Sequence, residues 1–134
     1  MKRILLAACL AATMIPVTAG PASACTCVPA SPEEHADYAR VVFTGRVLTI
    51  EREEFEHTVR FRVTKLYKGH VDRRVTVVTA SNSAACGCSF REGGKYTVFG
   101  RRRSEPFSTN LCSGTKKGAI NPDEYGLPPG HQPS

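Results

Sequence analysis

The clearest structural pattern in the sequence is the stretch Val59-Arg60-Phe61-Arg62-Val63-Thr64. Apolar and polar side chains alternate along this stretch, which is the period of two that a β-strand with one buried face requires. Val59, Phe61 and Val63 are therefore predicted to face the core, while the residues between them face solvent. The chain is expected to be built around a β-sheet that contains this strand.

Further strands are predicted on both sides of it, because short runs rich in β-branched and aromatic residues are bounded by glycines or charged turns. They extend from Val41 to Ile50, from Val75 to Thr79, from Lys95 to Phe99 and, more weakly, near Phe107 to Leu111. Gly45 lies inside the first of them and marks an expected bulge or bend.

One short helix is predicted ahead of the strands. It starts at Ser31-Pro32-Glu33-Glu34 and runs to about Tyr38, since Ser31 is a capping residue, Pro32 suits the first helical position and Glu34 completes a capping box. Five strands and one helix predict an all-β fold, and closure into an OB-like barrel would remove exposed strand edges. The pattern alone does not distinguish this five-stranded barrel from a small sandwich.

The first 24 residues are predicted to be a secretory signal peptide. Lys2 and Arg3 precede an uncharged apolar run from Ile4 to Val17, and Ala22-Ser23-Ala24 is a small-x-small cleavage motif. The run is too short for a transmembrane helix, which needs about 20 apolar residues. The mature chain is thus expected to begin at Cys25 and to be secreted, with a lipid anchor on Cys25 as the alternative.

Residues 25–115 are predicted to form one domain, and residues 116–134 a disordered tail, because Pro128-Pro129-Gly130 and Pro133 interrupt any regular pattern. The mature chain keeps five cysteines, and export would allow them to form disulfides. Five cysteines can form two bridges in fifteen ways with one thiol left over, so composition does not fix the pairing. A four-thiolate zinc site is not expected, because Cys-x-Cys spacing is tighter than zinc ligands usually show. The cysteines are Cys25, Cys27, Cys86, Cys88 and Cys112.

Charge and motif content narrow the functional classes. The formal net charge is +6, and the short basic runs at Arg101-Arg102-Arg103 and Lys116-Lys117 are interpreted as a solvated rim. The four histidines are scattered, and the sequence contains no nucleophile elbow or phosphate loop, so neither an enzyme nor a cofactor is expected. Nucleic-acid binding is not expected either, because Phe61 is predicted to face the core, whereas stacking aromatics must face outwards.

The segment Cys25-Thr26-Cys27-Val28-Pro29 resembles the N-terminus of the tissue inhibitors of metalloproteinases, members of the netrin-like group of OB-folds. Further similarities follow in the same order and extend to about Thr115. They are Thr64 to Gly69, Val78-Thr79 followed by Ala85-Cys86-Gly87, Tyr96 to Gly100, and Asn110-Leu111-Cys112. The chain departs from that family in lacking a third cysteine pair and a second domain, and its turn from Glu51 to Glu56 is short.

The resemblance implies a disulfide pairing and a mode of action. Cys25 would pair with Cys86 and Cys27 with Cys112, which leaves Cys88 as a spare thiol. The free amine and the carbonyl oxygen of Cys25 would chelate the catalytic zinc of a metalloprotease and displace its water. An ordinary α-amine pKa of about 7.7 to 8.0 leaves a sizeable neutral fraction to bind the metal.

The resemblance also assigns roles to the neighbouring residues. Thr26 would enter the specificity pocket of the protease, Val28 and Pro29 would lie along its cleft, and Ala84, Ala85 and Cys86 would form an adjoining ridge. The alternative is a non-inhibitory netrin-like binding or structural module of the cell surface or extracellular space. A monomer is expected, with a dimer through Cys88 as the alternative.

Overall fold

Residues 10–17 and 24–134 are described by a computed structural model of the chain. Most of the predicted signal peptide, including Lys2, Arg3 and the cleavage residues Ala22 and Ser23, lies outside the described residues. Residues 10–17 have no regular secondary structure. Within the described ranges, no helix is both long and apolar enough to cross a membrane.

Strands make up most of the regular structure between residues 31 and 134, together with one α-helix and two 3-10 helices. In chain order the elements are α1 (Pro32–Tyr38), β1 (Val41–Arg52), β2 (Glu56–Lys68), β3 (Arg74–Ala80), a 3-10 helix (Ser83–Ala85), β4 (Lys95–Gly100), β5 (Phe107–Ser108), β6 (Lys116–Lys117) and a second 3-10 helix (Pro122–Tyr125).

The strands form one curled sheet in the order β5-β3-β2-β1-β4-β6. Neighbouring strands are antiparallel, except that β3 and β5 are parallel. An isolated bridge between Arg101 and Ser108, with backbone N–H···O distances of 2.8 and 3.0 Å, joins the end of β4 to β5. Five strands therefore follow one another around a ring, which confirms the all-β, barrel-like fold. Sequence patterning missed the sixth strand, since two lysines carry no strand signal.

The inside of the barrel is the main core, and β2 supplies its centre. Val59, Phe61 and Val63 are at most 2% exposed, as their alternation predicts. Phe61 makes edge-to-face contacts with Phe43 and Phe90, whose ring centroids lie 5.4 and 5.3 Å away. Such geometry adds to the stabilisation from apolar burial.

Gly45 allows β1 to bend around this core. The β1–β2 register shifts between Thr44 and Gly45, as expected of a bulge, and a Cβ atom on Gly45 would lie 2.7 Å from the carbonyl oxygen of Arg62. A side chain at this position would collide with the backbone of the neighbouring strand. The close approach of β1 and β2 thus requires glycine.

A second, smaller core lies on the outer side of the sheet under α1. The helix begins with the predicted capping box, in which Ser31 and Glu34 accept each other's backbone N–H groups at 3.2 and 2.7 Å. Ala36 of the helix packs with Tyr67 and Phe99 of the sheet. The cap thus sets where the helix starts, and burial of its one apolar side fixes it to the sheet.

The prediction of a disordered tail from residue 116 is wrong. β6 pairs with β4, and Ile120, Tyr125 and Leu127 pack against the second core. His131 then forms a two-hydrogen-bond bridge with Leu66 of β2, beyond the point where β3 has left that strand. Two other glycines allow this segment to turn: Gly118 and Gly126 have positive φ values of 84° and 62°.

Candidate functional site

Two disulfides attach the irregular segment before α1 to the rim of the barrel. Cys25 is bonded to Cys86 and Cys27 to Cys112, with Cα–Cα distances of 5.1 and 5.2 Å. These distances lie in the usual range for disulfides. The pairing is the one that the resemblance implies, and it joins residues 61 and 85 positions apart in the chain.

The two disulfides lie side by side. The Sγ atoms of Cys25 and Cys112 are 4.0 Å apart, and together with the Sγ atom of Cys86 they lie within 4.8 Å of one another. Zinc binds cysteine as thiolate, whereas these three sulfur atoms are already in disulfide bonds. The cluster is therefore a double covalent attachment of one short segment, not a metal site of this chain.

A connector after β3 holds the first attachment point. Its 3-10 helix Ser83–Ala85 is capped by the Asn82 side chain, which accepts the N–H of Ala85 at 2.9 Å. Cys86 follows in the left-handed conformation, with φ of 64°. A Cβ atom on Gly87 would lie 2.0 Å from the carbonyl oxygen of Ala80, so the chain can fold back on β3 only with glycine there.

A loop after β5 holds the second attachment point. The Asn110 side chain accepts the N–H of Cys112 at 2.8 Å, and the Ser113 hydroxyl accepts the N–H of Asn110 at 2.8 Å. Leu111 donates its backbone N–H to the carbonyl oxygen of Cys86 at 2.9 Å, which links this loop to the connector. Both anchors of the N-terminal segment are thus fixed by local hydrogen bonds before any partner binds.

The side chains that the resemblance assigns to protease contact share this rim and are exposed. Thr26, Val28 and Pro29 are exposed, and Val28 retains 87% of its accessible surface. The Cys25–Cys86 bond brings Thr26 within one residue of the connector, where Ala84 and Ala85 are also exposed. Cys25 and Cys86 are themselves half-buried. We call the segments 25–29 and 84–86 together the N-terminal rim.

Two exposed apolar side chains near the N-terminal rim were not identified from the sequence. Leu111 is 47% exposed next to Cys112, and Phe55 is 79% exposed at the tip of the β1–β2 hairpin. Ser81 ties that tip to the connector, because its N–H and hydroxyl donate to the carbonyl oxygens of Phe55 and Glu54 at 3.0 and 2.7 Å. Neither residue could be assigned from local pattern, since each lies beside the rim only in the folded chain.

A shallow concavity of about 450 Å³ flanks the segment on its other side. It is lined by Thr26 to Ala30, by Glu34, His35 and Tyr38 of α1, and by Arg101 and Cys112. The exposed segment therefore has open space beside it. Such a shape is suited to insertion into a cleft of another protein.

Cys88 is the unpaired cysteine of the described residues, and it is only 8% exposed. Burial raises the pKa of its thiol from 9.0 to about 11, although hydrogen bonds with the side chains of Thr79 and Thr109 act in the opposite direction. The thiol is therefore protonated at neutral pH and poorly reactive. A dimer through Cys88 would require the barrel to open locally.

Neither the family models nor the curated proteins with which the sequence was compared gave a match.

Proposed function

We propose that this chain is a secreted inhibitor of zinc metalloendopeptidases, similar to the tissue inhibitors of metalloproteinases, and that the amine and carbonyl oxygen of Cys25 bind the catalytic zinc of the target. The observation that carries the proposal is the fixation of Cys25 and Cys27 by adjacent disulfides, while Thr26, Val28 and Pro29 between and after them stay exposed. Two covalent bonds on so short a segment, with so little burial, favour a role in binding over one in the core.

The chemistry requires cleavage between Ala24 and Cys25. Before cleavage the nitrogen of Cys25 is an amide and a poor metal ligand; afterwards it is an amine that forms a five-membered chelate ring with its own carbonyl oxygen. A catalytic zinc has three protein ligands and one position for water, so a chelating amine at that position removes the nucleophile. The apolar side chains of Leu10 and Met14 are 97% and 94% exposed, so they make no core contacts that cleavage would break.

The rest of the N-terminal rim would supply affinity and selectivity. Thr26 would enter the pocket next to the zinc, Val28 and Pro29 would occupy the cleft, and Ala84 with Ala85 would make the adjoining ridge. Because the disulfides fix this surface in advance, little conformational entropy would be lost on binding. Small side chains on the ridge would also allow the two backbones to approach closely.

The test begins with the mass of the N-terminus of the purified exported protein. We expect a free Cys25 amine and two disulfides. Inhibition constants should then be measured against a panel of zinc endopeptidases for this protein and for a variant with one extra alanine before Cys25. A matched control carries the extra alanine after Ser134, which is exposed and distant in sequence from the rim.

The N-terminal alanine should weaken inhibition at least about tenfold, or about 1.4 kcal/mol of binding free energy, because the new amine no longer lies beside the Cys25 carbonyl. The C-terminal alanine should leave inhibition unchanged. Equal potency of the two extended proteins would mean that the amine is not the inhibitory group. Absence of inhibition across the panel would favour the second candidate.

That second candidate is a non-inhibitory netrin-like binding or structural module of the cell surface or extracellular space. One version of it is a lipoprotein that is acylated on Cys25. The missing third cysteine pair favours it, since the chain has fewer covalent restraints than the family that it resembles. The lipid-anchored form conflicts with the Cys25–Cys86 disulfide, because a thioether to lipid and a disulfide cannot share one sulfur. An acyl mass on Cys25 would rule out chelation and leave Cys86 without its partner.

A further inference from the structure

A row of four cationic side chains crosses the outer face of the sheet, at right angles to the strands. Lys95 of β4 is paired with Arg46 of β1, Arg46 with Arg62 of β2, and Arg62 with Arg74 of β3. All four side chains are exposed. We call this set the cationic row.

This arrangement is unfavourable for the isolated protein. Residues directly opposite in an antiparallel pair point to the same side, and like charges there are destabilising. Neighbouring strands lie about 4.8 Å apart, so the row places four positive charges along a line of roughly 14 Å. A sheet that needed only solubility would alternate the signs of these charges.

One end of the row leads into a concave site of about 250 Å³. Arg46 and Lys95 line it together with Lys65, and no carboxylate does. The Arg46 guanidinium is held in place by donating to the Gly93 carbonyl oxygen at 2.8 Å. The site therefore concentrates three cations around one cavity.

Polar and apolar groups complete the wall of this cavity. Thr44, Thr64 and Tyr67 contribute side chains that bear hydroxyl groups, and Ile120 from the C-terminal segment contributes an apolar surface. The hydroxyls of Thr44 and Thr64 are already hydrogen-bonded within the protein, to the Thr97 hydroxyl and to the Thr44 carbonyl oxygen. The cations beside an apolar wall suit an acidic sugar ring, whose faces are partly apolar and whose edges carry anions.

Acidic side chains lie at the two ends of the row. Glu92 is in the turn before Lys95, Asp72 precedes Arg74 by two residues, and Glu105 accepts the N–H of Thr76 near Arg74 at 3.2 Å. Glu51 lies on the same face but farther along β1, where it is paired with Thr58. Arg60 is exposed on the same face of β2 as Arg62 and adds another cation beside the middle of the row. Within the sheet, no acidic residue is paired with a member of the row.

We propose that the cationic row and the adjoining cavity bind a linear acidic polysaccharide, with one sugar unit in the cavity and the chain extending over Arg62 towards Arg74. A line of charges matches a linear polyanion.

Nucleic acid is disfavoured because no exposed aromatic residue lies on this face: Phe61, between Arg60 and Arg62, is fully buried. A membrane is disfavoured because the exposed large apolar residues of the barrel, Val28, Tyr38, Phe55 and Leu111, lie outside the row. The proposal is independent of protease inhibition.

The test compares two triple variants of equal charge on the full chain. R46Q/R62Q/R74Q removes three cations of the row, and R101Q/R102Q/R103Q removes the three exposed arginines that follow β4. The probes are heparin, which carries sulfates, and polygalacturonate, which carries only carboxylates. At low ionic strength we expect the row variant to bind roughly one hundredfold more weakly, about fivefold for each cation lost beside an anionic surface. The control variant should lose less than about fivefold.

Folding is checked by thermal melting and by a charge-preserving variant. The row variant should melt at the same or a higher temperature than the parent, because repulsion within the row has been removed. R46K/R62K/R74K should retain binding within about tenfold, since its charges are unchanged. If it binds as weakly as the glutamine variant, the charge model is wrong.

Binding of either polysaccharide with dependence on the row supports the proposal, and the preferred probe identifies sulfate or carboxylate as the recognised anion. Equal losses in the two glutamine variants would overturn it, because net charge alone would then account for binding. Row-dependent binding as tight to double-stranded DNA, or to phosphatidylglycerol vesicles, would also overturn it. So would the absence of binding to both polysaccharides.

Discussion

The two ends of the folded chain contain no long helix or strand, and they are fixed to the barrel in opposite ways. The N-terminal segment before α1 makes two disulfides and leaves Thr26, Val28 and Pro29 exposed. The C-terminal segment after β6 makes no disulfide and instead packs Tyr125 against the second core and pairs His131 with β2. Covalent bonds hold the first, and burial with hydrogen bonds holds the second.

This difference limits where a binding surface can lie in the fold. A segment that is fixed by burying its side chains cannot offer those side chains to a partner. A segment that is fixed by disulfides at alternate residues keeps the residues between them available and still loses little entropy on binding. On this reasoning the N-terminal rim is the better candidate for a binding surface, whereas the C-terminal segment contributes packing and lines the cavity through Ile120.

The largest effect is expected from removing a covalent attachment, with the double substitution C27S/C112S. The bond closes a separation of 85 residues, and its loss should lower the free energy of unfolding by about 2 to 5 kcal/mol, mainly because the unfolded chain gains freedom. Urea or guanidinium unfolding measures this. The thiol count before and after unfolding serves as the control that Cys25–Cys86 is still formed. A loss below about 1 kcal/mol would show that local hydrogen bonds hold the segment without the bond.

A smaller effect is expected from breaking the packing of the C-terminal end, with Tyr125→Ala. The Tyr125 ring is half-buried against Phe99, with centroids 5.3 Å apart, so its removal should cost about 1 to 3 kcal/mol of stability. Tyr38→Ala is the matched control, since Tyr38 is 65% exposed and should change stability by less than about 0.5 kcal/mol. Equal, small effects of both substitutions would mean that the tail contributes nothing to the fold.

Sequence patterning identified the parts of this fold whose signal is local. The alternation at Val59, Phe61 and Val63 marks the central strand, and Ser31 with Glu34 marks the helix start, because each signal depends on residues a few positions apart. The bulge at Gly45 was predicted for the same reason. Strand order and the bridge from Arg101 to Ser108 required the structure, although five strands with one helix already favoured a barrel.

The remaining features are non-local, and pattern could not find them. Prolines and glycines after residue 116 predicted disorder, whereas Tyr125 finds an apolar partner in Phe99 that no local rule reveals. The cationic row joins residues from four strands, and no pattern within one strand shows which residues of the next strand will lie beside it. The disulfide pairing came from resemblance, because five cysteines alone leave fifteen possibilities.

The smallest effect is expected at Cys88. This residue lies two positions after Cys86, but it is held by packing and not by a disulfide, like the C-terminal segment. Burial raises the pKa of this thiol to about 11 from 9.0, so the folded protein keeps a proton that the unfolded chain releases between these values. Stability should therefore be at its full value below pH 9 and fall as the pH rises towards 11, by about 1 kcal/mol at pH 10. Unfolding curves at pH 8, 9 and 10 for the parent and Cys88→Ala isolate this contribution, because lysine and tyrosine titrations are common to both proteins. The alanine variant should show the shallower decline above pH 9; parallel declines would mean that the thiol titrates alike in the folded and unfolded chain and that packing does not isolate it from water.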